Sequence, residues 1–257
     1  MIKAKKVLGQ NFLVDKNKVN KIIDSIPELE TSTIVEVGPG TGALTVPLSE
    51  RAKKLISIEL DTDMIQILED KIKSDNFTLL NNDILDVDFN DILGDIKHVQ
   101  FVSNLPYYIS TKIMFKVAYD LRFDSMSVML QKELVNRIFA KKNTKEYGRL
   151  TVSIGSLFEL VTKIDVPATC FKPKPNVDSG FIVLKRKDTN ISNIDDYLSF
   201  IKASFANKRK TLINSLKNSN FNRLESVQKY LIDHNIKENI RSEEISIDTF
   251  IDIYQNI

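Results

Sequence analysis

The sequence predicts an α/β fold: a mostly parallel sheet with helices on both faces, followed by a small helical domain. Three observations carry this expectation. Short β-branched runs alternate with helical periodicity up to about residue 187. The first strand-to-helix passage is a glycine loop, Gly38-Pro39-Gly40-Thr41-Gly42. Beyond a polar stretch at 187–193 every segment has helical period. The expected division is therefore 1–187 for the α/β domain and 194–257 for the helical one.

The elements follow in order. Residues 16–26 form an amphipathic helix, with Asp15 as its N-cap and Val19, Ile22, Ile23 and Ile26 on one face. Thr33–Val37 is a β-branched strand that runs into the glycine loop, and a short helix follows to about Arg51. Lys54–Glu59 is the second strand, and Asp61 opens the next helix, with Met64, Ile65, Leu68 and Ile72 apolar. Further strands fit Phe77–Leu80, His98–Val102 and Ser125–Leu130, with helices at 110–119 and 132–140. Arg149–Leu160 is apolar, a proline-rich stretch spans Val166–Pro175, and Phe181–Leu184 is one more strand. The last part predicts helices at Tyr197–Phe205, Lys210–Leu216, Phe221–Ile232 and Ile245–Tyr254.

Composition removes several function classes. The chain has 257 residues, 42% of them apolar, which is enough for a sizeable core. With 36 basic against 34 acidic side chains, a net charge of +2 does not by itself announce a nucleic-acid partner. One cysteine, Cys170, excludes an internal disulfide and a multi-cysteine zinc site. Two histidines, His98 and His234, leave little material for a metal centre or a Ser-His-Asp triad. Met1–Gln10 has no apolar stretch after its lysines, so no secretory signal is expected, and no apolar run approaches the ~18 residues of a membrane helix. The expectation is a cytoplasmic, metal-free protein with no membrane partner. No heptads or broad apolar stripe suggest an oligomer, so a monomer is expected.

The glycine loop admits several ligands. A phosphate-binding P-loop would end in Gly-Lys-Ser/Thr, and here Ala43 follows Gly42. The spacing Gly-x-Gly-x-Gly also departs from the dinucleotide pattern. Taken alone, the loop also fits a tight turn with no ligand. The next strand ends change this. Glu59 stands 17 residues after Gly42 at a strand tip, where a carboxylate can accept from two ribose hydroxyls. After the third strand, Asp83 can accept from an adenine amine while a neighbouring backbone N–H donates to the ring. Gly loop, Glu59 and Asp83 at successive strand ends define an adenosine cradle, a pattern that looks like S-adenosylmethionine binding and disfavours NAD.

The fourth strand ends in Asn104-Leu105-Pro106-Tyr107. Such a turn is common after a strand, and its place on the cofactor edge gives it meaning. An adenine amine is a weak nucleophile because its lone pair is delocalised into the ring. The Asn104 side-chain oxygen and the Leu105 carbonyl can accept its hydrogens as nitrogen becomes tetrahedral. Pro106 stiffens the turn, and Tyr107 offers a face on which a base can stack.

In these residues and the blocks around them the chain resembles the ribosomal RNA adenine dimethyltransferases of the KsgA type, nearly end to end. The resemblance is carried by Leu8–Leu13, Glu36–Gly42, Glu59-Leu60-Asp61, Asn104–Tyr107, Leu130–Glu133, Tyr147–Leu150 and Phe205–Leu212. It implies a Rossmann-like methyltransferase sheet and a cofactor set of Gln10, Asn11, Leu13, Gly38, Glu59, Asp83, Ile84 and Asn104, with Gln10–Leu13 folded over the cofactor. It implies that Asn104, Leu105, Pro106 and Tyr107 hold the target adenine and that Phe171 stacks on the flipped base; the plain alternative for Phe171 is a core aromatic. Two positions depart from the family: Tyr108 stands where Asn is usual, and Asn82 where Gly is usual.

Two basic segments, Lys141–Lys145 and Lys208-Arg209-Lys210, suit either a solvated face or phosphate contacts to folded RNA. The second is expected to start a helix. By resemblance, the expected activity is dimethylation of the N6 amines of two adjacent adenosines in a 3′-terminal hairpin of small-subunit rRNA, on a pre-30S-type particle. The alternatives are a large-subunit rRNA methylase of the antibiotic-resistance (Erm) type, or a non-catalytic assembly or transcription factor on the same fold.

Overall fold

Five parallel strands set the frame of the N-terminal part. A computed structural model describes Lys5 and residues 9–257. Leu8, and with it most of the Met1–Gln10 stretch, lies outside the described residues. After the short β1 (Phe12–Leu13) and α1 (Lys16–Ile23) come β2 (Thr33–Val37), α2 (Thr45–Arg51), β3 (Lys54–Glu59), α3 (Thr62–Lys71), β4 (Phe77–Asn81) and α4 (Phe89–Leu93). They are followed by β5 (Val99–Asn104), α5 (Ser110–Tyr119) and β6 (Phe123–Gln131). β7 (Phe158–Val166), β8 (Phe171–Lys172) and β9 (Ser179–Arg186) complete the strands. The large sheet has the order β4-β3-β2-β5-β6-β9-β7; β4 to β6 are parallel neighbours, and β9 is antiparallel to β6.

Local chemistry explains the boundaries. Asp15 caps α1 by accepting from the Lys18 N–H at 2.9 Å, and Asp61 caps α3 through Asp63 N. β2 is buried along its whole length, as a central parallel strand covered on both faces must be. β5 begins at Val99 rather than at the expected His98, whose positive φ of 61° leaves strand geometry. Below β2, the apolar face of α1 (Ile22, Ile23) packs with Ile34, Leu48 and Leu55.

Two elements have no clear mark in the sequence. α4 is only five residues long, opened by Asp88. β7 is an edge strand whose Phe158, Ile164 and Val166 are buried while Leu160 and Val161 between them are exposed, so its apolar residues do not alternate cleanly.

The expected domain boundary needs correcting. The chain divides into two compact units, one of residues 1–132 and 159–186, the other of 133–158 and 187–257. The break at 186–187 adjoins the expected one, whereas 133–158 groups with the C-terminal helices in place of the sheet. That second unit holds α6 (Lys132–Ile138) from Glu133 on, α7 (Arg149–Leu157), α8 (Ile194–Ser204), α9 (Leu212–Asn218), α10 (Leu224–Asp233) and α11 (Ile247–Gln255). The reason is in its hydrogen bonds: the Tyr147 hydroxyl donates to the Ile245 carbonyl at 2.8 Å, and Ser156 Oγ lies 2.6 Å from the Tyr197 hydroxyl.

Lys208-Arg209-Lys210 does not start a helix. It lies in the turn before α9, whose N-cap is Thr211.

The core of this unit is aromatic. Phe200 is fully buried, with ring centroids 5.4 Å from Phe221, 6.1 Å from Phe250 and 6.4 Å from Tyr254. Phe200→Ala is expected to lower stability by about 3–5 kcal/mol, because it removes the ring and leaves a cavity. Urea denaturation checks this, and a shift below about 1 kcal/mol would mean the neighbours collapse into the space.

Candidate functional site

Parallel pairing in register places the strand ends together. Val37 is opposite both Ile58 and Ser103, and Glu59 is opposite Asn81, so β2, β3, β4 and β5 finish along one edge. A cavity opens there, where open α/β sheets hold their ligands. Its lining includes Gln10, Asn11, Leu13, Gly38, Glu59, Asp83, Ile84, Asn104, Leu105, Pro106 and Tyr107. The structure thus brings together every residue expected for the cofactor and for the reacting base, except Phe171.

Gly38 and Gly40 take positive φ values of 66° and 55°, which a side chain would strain. A Cβ on Gly40 would also stand 3.1 Å from the Phe12 ring. The loop is fixed from behind by Glu59. One of its carboxylate oxygens accepts from the Gly40 N–H at 3.0 Å, the other from the Asp61 N–H at 2.9 Å. Each oxygen keeps a lone pair for a further donor. Burial pushes the Glu59 carboxyl above its usual range, although the Asp61 and Gly40 N–H groups pull the other way.

A second acid is present that the spacing of the motifs does not single out. Glu36 is buried in β2 and also lines the cavity. Ser57 and Thr45 donate their hydroxyls to its two oxygens at 2.7 and 3.1 Å. Burial nonetheless drives its carboxyl up to about 7, with the charge of Glu59 adding to the rise. The available signal is the acid itself, alone inside the β-branched run Thr33–Val37. Two acids behind a glycine loop suit a ligand that carries positive charge.

Asp83 is half-buried beside the buried Ile84, and its Oδ1 accepts from the Leu85 N–H at 2.8 Å. The Asn104 side-chain amide donates to the Asn11 carbonyl at 3.2 Å. This fixes which end of the amide is nitrogen and leaves Oδ1 as the acceptor. The peptide of Leu105 is held by its N–H to the Met129 carbonyl at 3.3 Å. The Pro106 carbonyl accepts from the Ile109 N–H and the Ser110 hydroxyl at 3.2 and 2.9 Å, locking the turn to the start of α5. The Tyr107 hydroxyl lies 2.8 Å from Ser179 Oγ, a partner on β9 that no local motif points to. Burial raises the Tyr107 phenol, so it stays protonated and is no general base. Tyr108 is 58% exposed at the same cavity, close against Gly9.

Two expectations change. The Gln10 side chain is occupied at both ends: its amide donates to Asp61 Oδ2 at 2.7 Å, and its oxygen accepts from the Lys5 N–H at 2.8 Å. Gln10 therefore lines the cavity with its side-chain amide already taken by protein partners. Phe171 is 2% exposed, paired across from Leu13 and packed in the core cluster with Ile23 and Val166. Its ring is a core aromatic and offers no free face to a base. Lys208, Arg209 and Lys210 are exposed on the second unit. There the Arg241 guanidinium donates to the Lys208 carbonyl at 2.8 Å, and the Asn143 N–H donates to the Glu243 carbonyl at 2.9 Å. The two basic segments thus dock on one stretch of chain, 241–243.

Among the described residues no group of three or more His, Cys, Asp or Glu could hold a metal ion, and no helix is long and apolar enough to cross a membrane.

Residues 1–257 match the family described as ribosomal RNA adenine dimethylase. The chain is 38% identical over 255 residues to the ribosomal RNA small subunit methyltransferase A of Mycoplasmopsis pulmonis, covering 98% of each. It is 40% identical over 258 residues to the protein of the same name from Bacillus licheniformis, covering 96% of this chain and 88% of that one. Among solved structures it is similar to a dimethyladenosine transferase from Plasmodium falciparum, with a TM-score of 0.78, 25% identity and coverage of 94% and 95%. The 23S rRNA methyltransferase ErmE shares the fold, with a TM-score of 0.69, 24% identity and coverage of 96% and 99%. The cavity geometry and these likenesses agree: the chain belongs to the ribosomal RNA adenine dimethylase family.

Proposed function

We propose that this protein dimethylates the N6 amines of two adjacent adenosines in a 3′-terminal hairpin of small-subunit rRNA, using S-adenosylmethionine. One observation carries the reading: the Asn104-Leu105-Pro106-Tyr107 turn shares a single cavity with the glycine loop, Glu59 and Asp83. The residues fit the cofactor. Glu59 has lone pairs left for ribose hydroxyls, Asp83 and Ile84 flank the place for an adenine ring, and Glu36 and Glu59 favour a cation. When bound, the cofactor supplies an electrophilic methyl on a sulfonium, so the chemistry needs no metal and no strong base.

The chain's own part is to position and polarise. Asn104 Oδ1, fixed by the bond to Asn11, and the Leu105 carbonyl accept the two amine hydrogens of the target adenine. As nitrogen takes a fourth bond these hydrogens become more acidic, so both acceptors strengthen in the transition state. Tyr107, held at its hydroxyl by Ser179, stacks on the base once it has left its helix. Lys141–Lys145 and Lys208–Lys210 supply phosphate contacts. We read the substrate as a pre-30S-type particle and the enzyme as a cytoplasmic monomer.

The small subunit is favoured over the large by the named relatives at 38 and 40% identity, against a likeness of fold alone to ErmE. Labelled methyl transfer to isolated unmethylated subunits tests this: label on the small subunit is expected, and label confined to the large one overturns the reading.

Asn104→Ala is expected to lower kcat by about 10²–10³, the loss typical of one acceptor or donor matched to developing charge. Single-turnover methylation measures it, and a rate near wild type would refute the role. Glu59→Ala is expected chiefly to raise the KM for S-adenosylmethionine; an unchanged KM would remove Glu59 from the ribose site. Replacing Lys208, Arg209 and Lys210 together with Ala should weaken RNA binding and flatten its salt dependence in proportion to the phosphates no longer neutralised, leaving cofactor affinity unchanged. Filter binding across a salt series decides it.

A further inference from the structure

Asp61 does more than an N-cap requires. Capping α3 takes one acceptor, used by the Asp63 N–H at 3.1 Å. The same carboxylate, whose side chain has no exposed surface, also accepts from Lys5 Nζ at 2.5 Å and from the Gln10 amide at 2.7 Å. Lys5 reaches Asp63 as well, at 2.7 Å. The Asp61 backbone N–H in turn donates to Glu59, the acid assigned to the ribose. On the other side of the cavity, the residue after Gln10 accepts from Asn104, and the next one, Phe12, lies on Gly40.

We infer that Asp61 is a positioning residue for the cofactor, joining the segment Gly9–Leu13 to the ribose acid Glu59 so that the cavity wall and the ribose acceptor are set together. A solitary buried carboxylate is strongly penalised, whereas this one sits among an ammonium, an amide and a helix N–H. Burial by itself would raise its carboxyl; Lys5, Gln10 and the Asp63 N–H outweigh that and hold it below the usual aspartate range. Asp61 is therefore anionic at neutral pH and keeps a lysine and a glutamine fixed. Asp61, Lys5 and Gln10 are not among the groups assigned to the reacting amine, so the effect of Asp61 belongs to binding rather than to the chemical step.

The inference rests on the cofactor assignment proposed for this cavity, and S-adenosylhomocysteine is the probe. Asp61→Asn keeps the size and the helix cap but loses the charge. Calorimetry on the full chain is expected to give an affinity weaker by on the order of tenfold, the effect of one charge-assisted hydrogen bond. Lys5→Met should also weaken binding, and the double variant should be little worse than Asp61→Asn alone, because the two act as a pair. Amide exchange should rise across residues 9–13 and stay unchanged in β2, and the KM for the cofactor should rise more than kcat falls. An Asp61→Asn affinity within about twofold of wild type overturns the inference. So do additive losses, which would reduce Asp61 to its cap. If Asp61→Asn fails to fold, Lys5→Met and Gln10→Leu decide, and normal affinity in both overturns it. Failure of the wild-type chain to bind the probe would instead defeat the cofactor assignment itself.

Discussion

The site is organised around the carboxylate of Glu59. Its two oxygens hold the glycine loop at Gly40 and the entry to α3 at Asp61. From Asp61 the connection continues to Gln10, and the following residue, Asn11, meets Asn104 at the end of β5. A hydrogen-bonded circuit thus passes through three strand ends and the segment that crosses them. Parallel register puts these ends at one level, and the circuit then fixes the backbone at that level. The arrangement carries a cost for the fold. A buried acid whose carboxyl is raised contributes stability only below the ordinary glutamate range, about 4.3, and loses it as pH rises through the folded value. For Glu36 that loss is complete only above about 7. Near neutral pH both buried acids oppose folding, which a cationic ligand in the cavity would offset.

Much of this frame is legible in the sequence because each signal is local. Glycines demanding positive φ, an acid at a strand tip and a capping aspartate depend on a few neighbouring residues, and Gly38, Glu59 and Asp15 sit where their neighbours require. What escapes depends on partners distant in sequence. Residues 133–158 are apolar enough for either unit, and only the meeting of Tyr147 with Ile245 assigns them. Phe171 has the composition of a stacking aromatic, yet its pairing with Leu13 buries it. The amide of Gln10 belongs to the cavity by position but is bound by Asp61, 51 residues further on. β7 is hidden for the opposite reason: its buried Phe158, Ile164 and Val166 are interrupted by the exposed Leu160 and Val161, which blurs the one-sided pattern of a half-buried strand.

The placement of the titratable groups bears on the chemistry. His98 precedes β5, at the end opposite Asn104; six residues of extended chain put it roughly 20 Å away, and it pairs there with Asp124. His234 is stacked on Tyr230 in the second unit. His98 thus does not face the turn, and Tyr107 stays protonated. In the reaction proposed above the turn works by acceptance alone, and acceptance distinguishes the two methylations. An unmodified amine has two hydrogens for Asn104 Oδ1 and the Leu105 carbonyl, whereas a monomethylated amine has one. Asn104 is held by a side-chain bond to the segment over the cavity; Leu105 is held by the sheet itself. The second transfer must proceed with one acceptor empty and a methyl lying near it. The space for that methyl is set by what borders the turn, and there the chain has the large, exposed ring of Tyr108 against Gly9, where the family resemblance would place an asparagine.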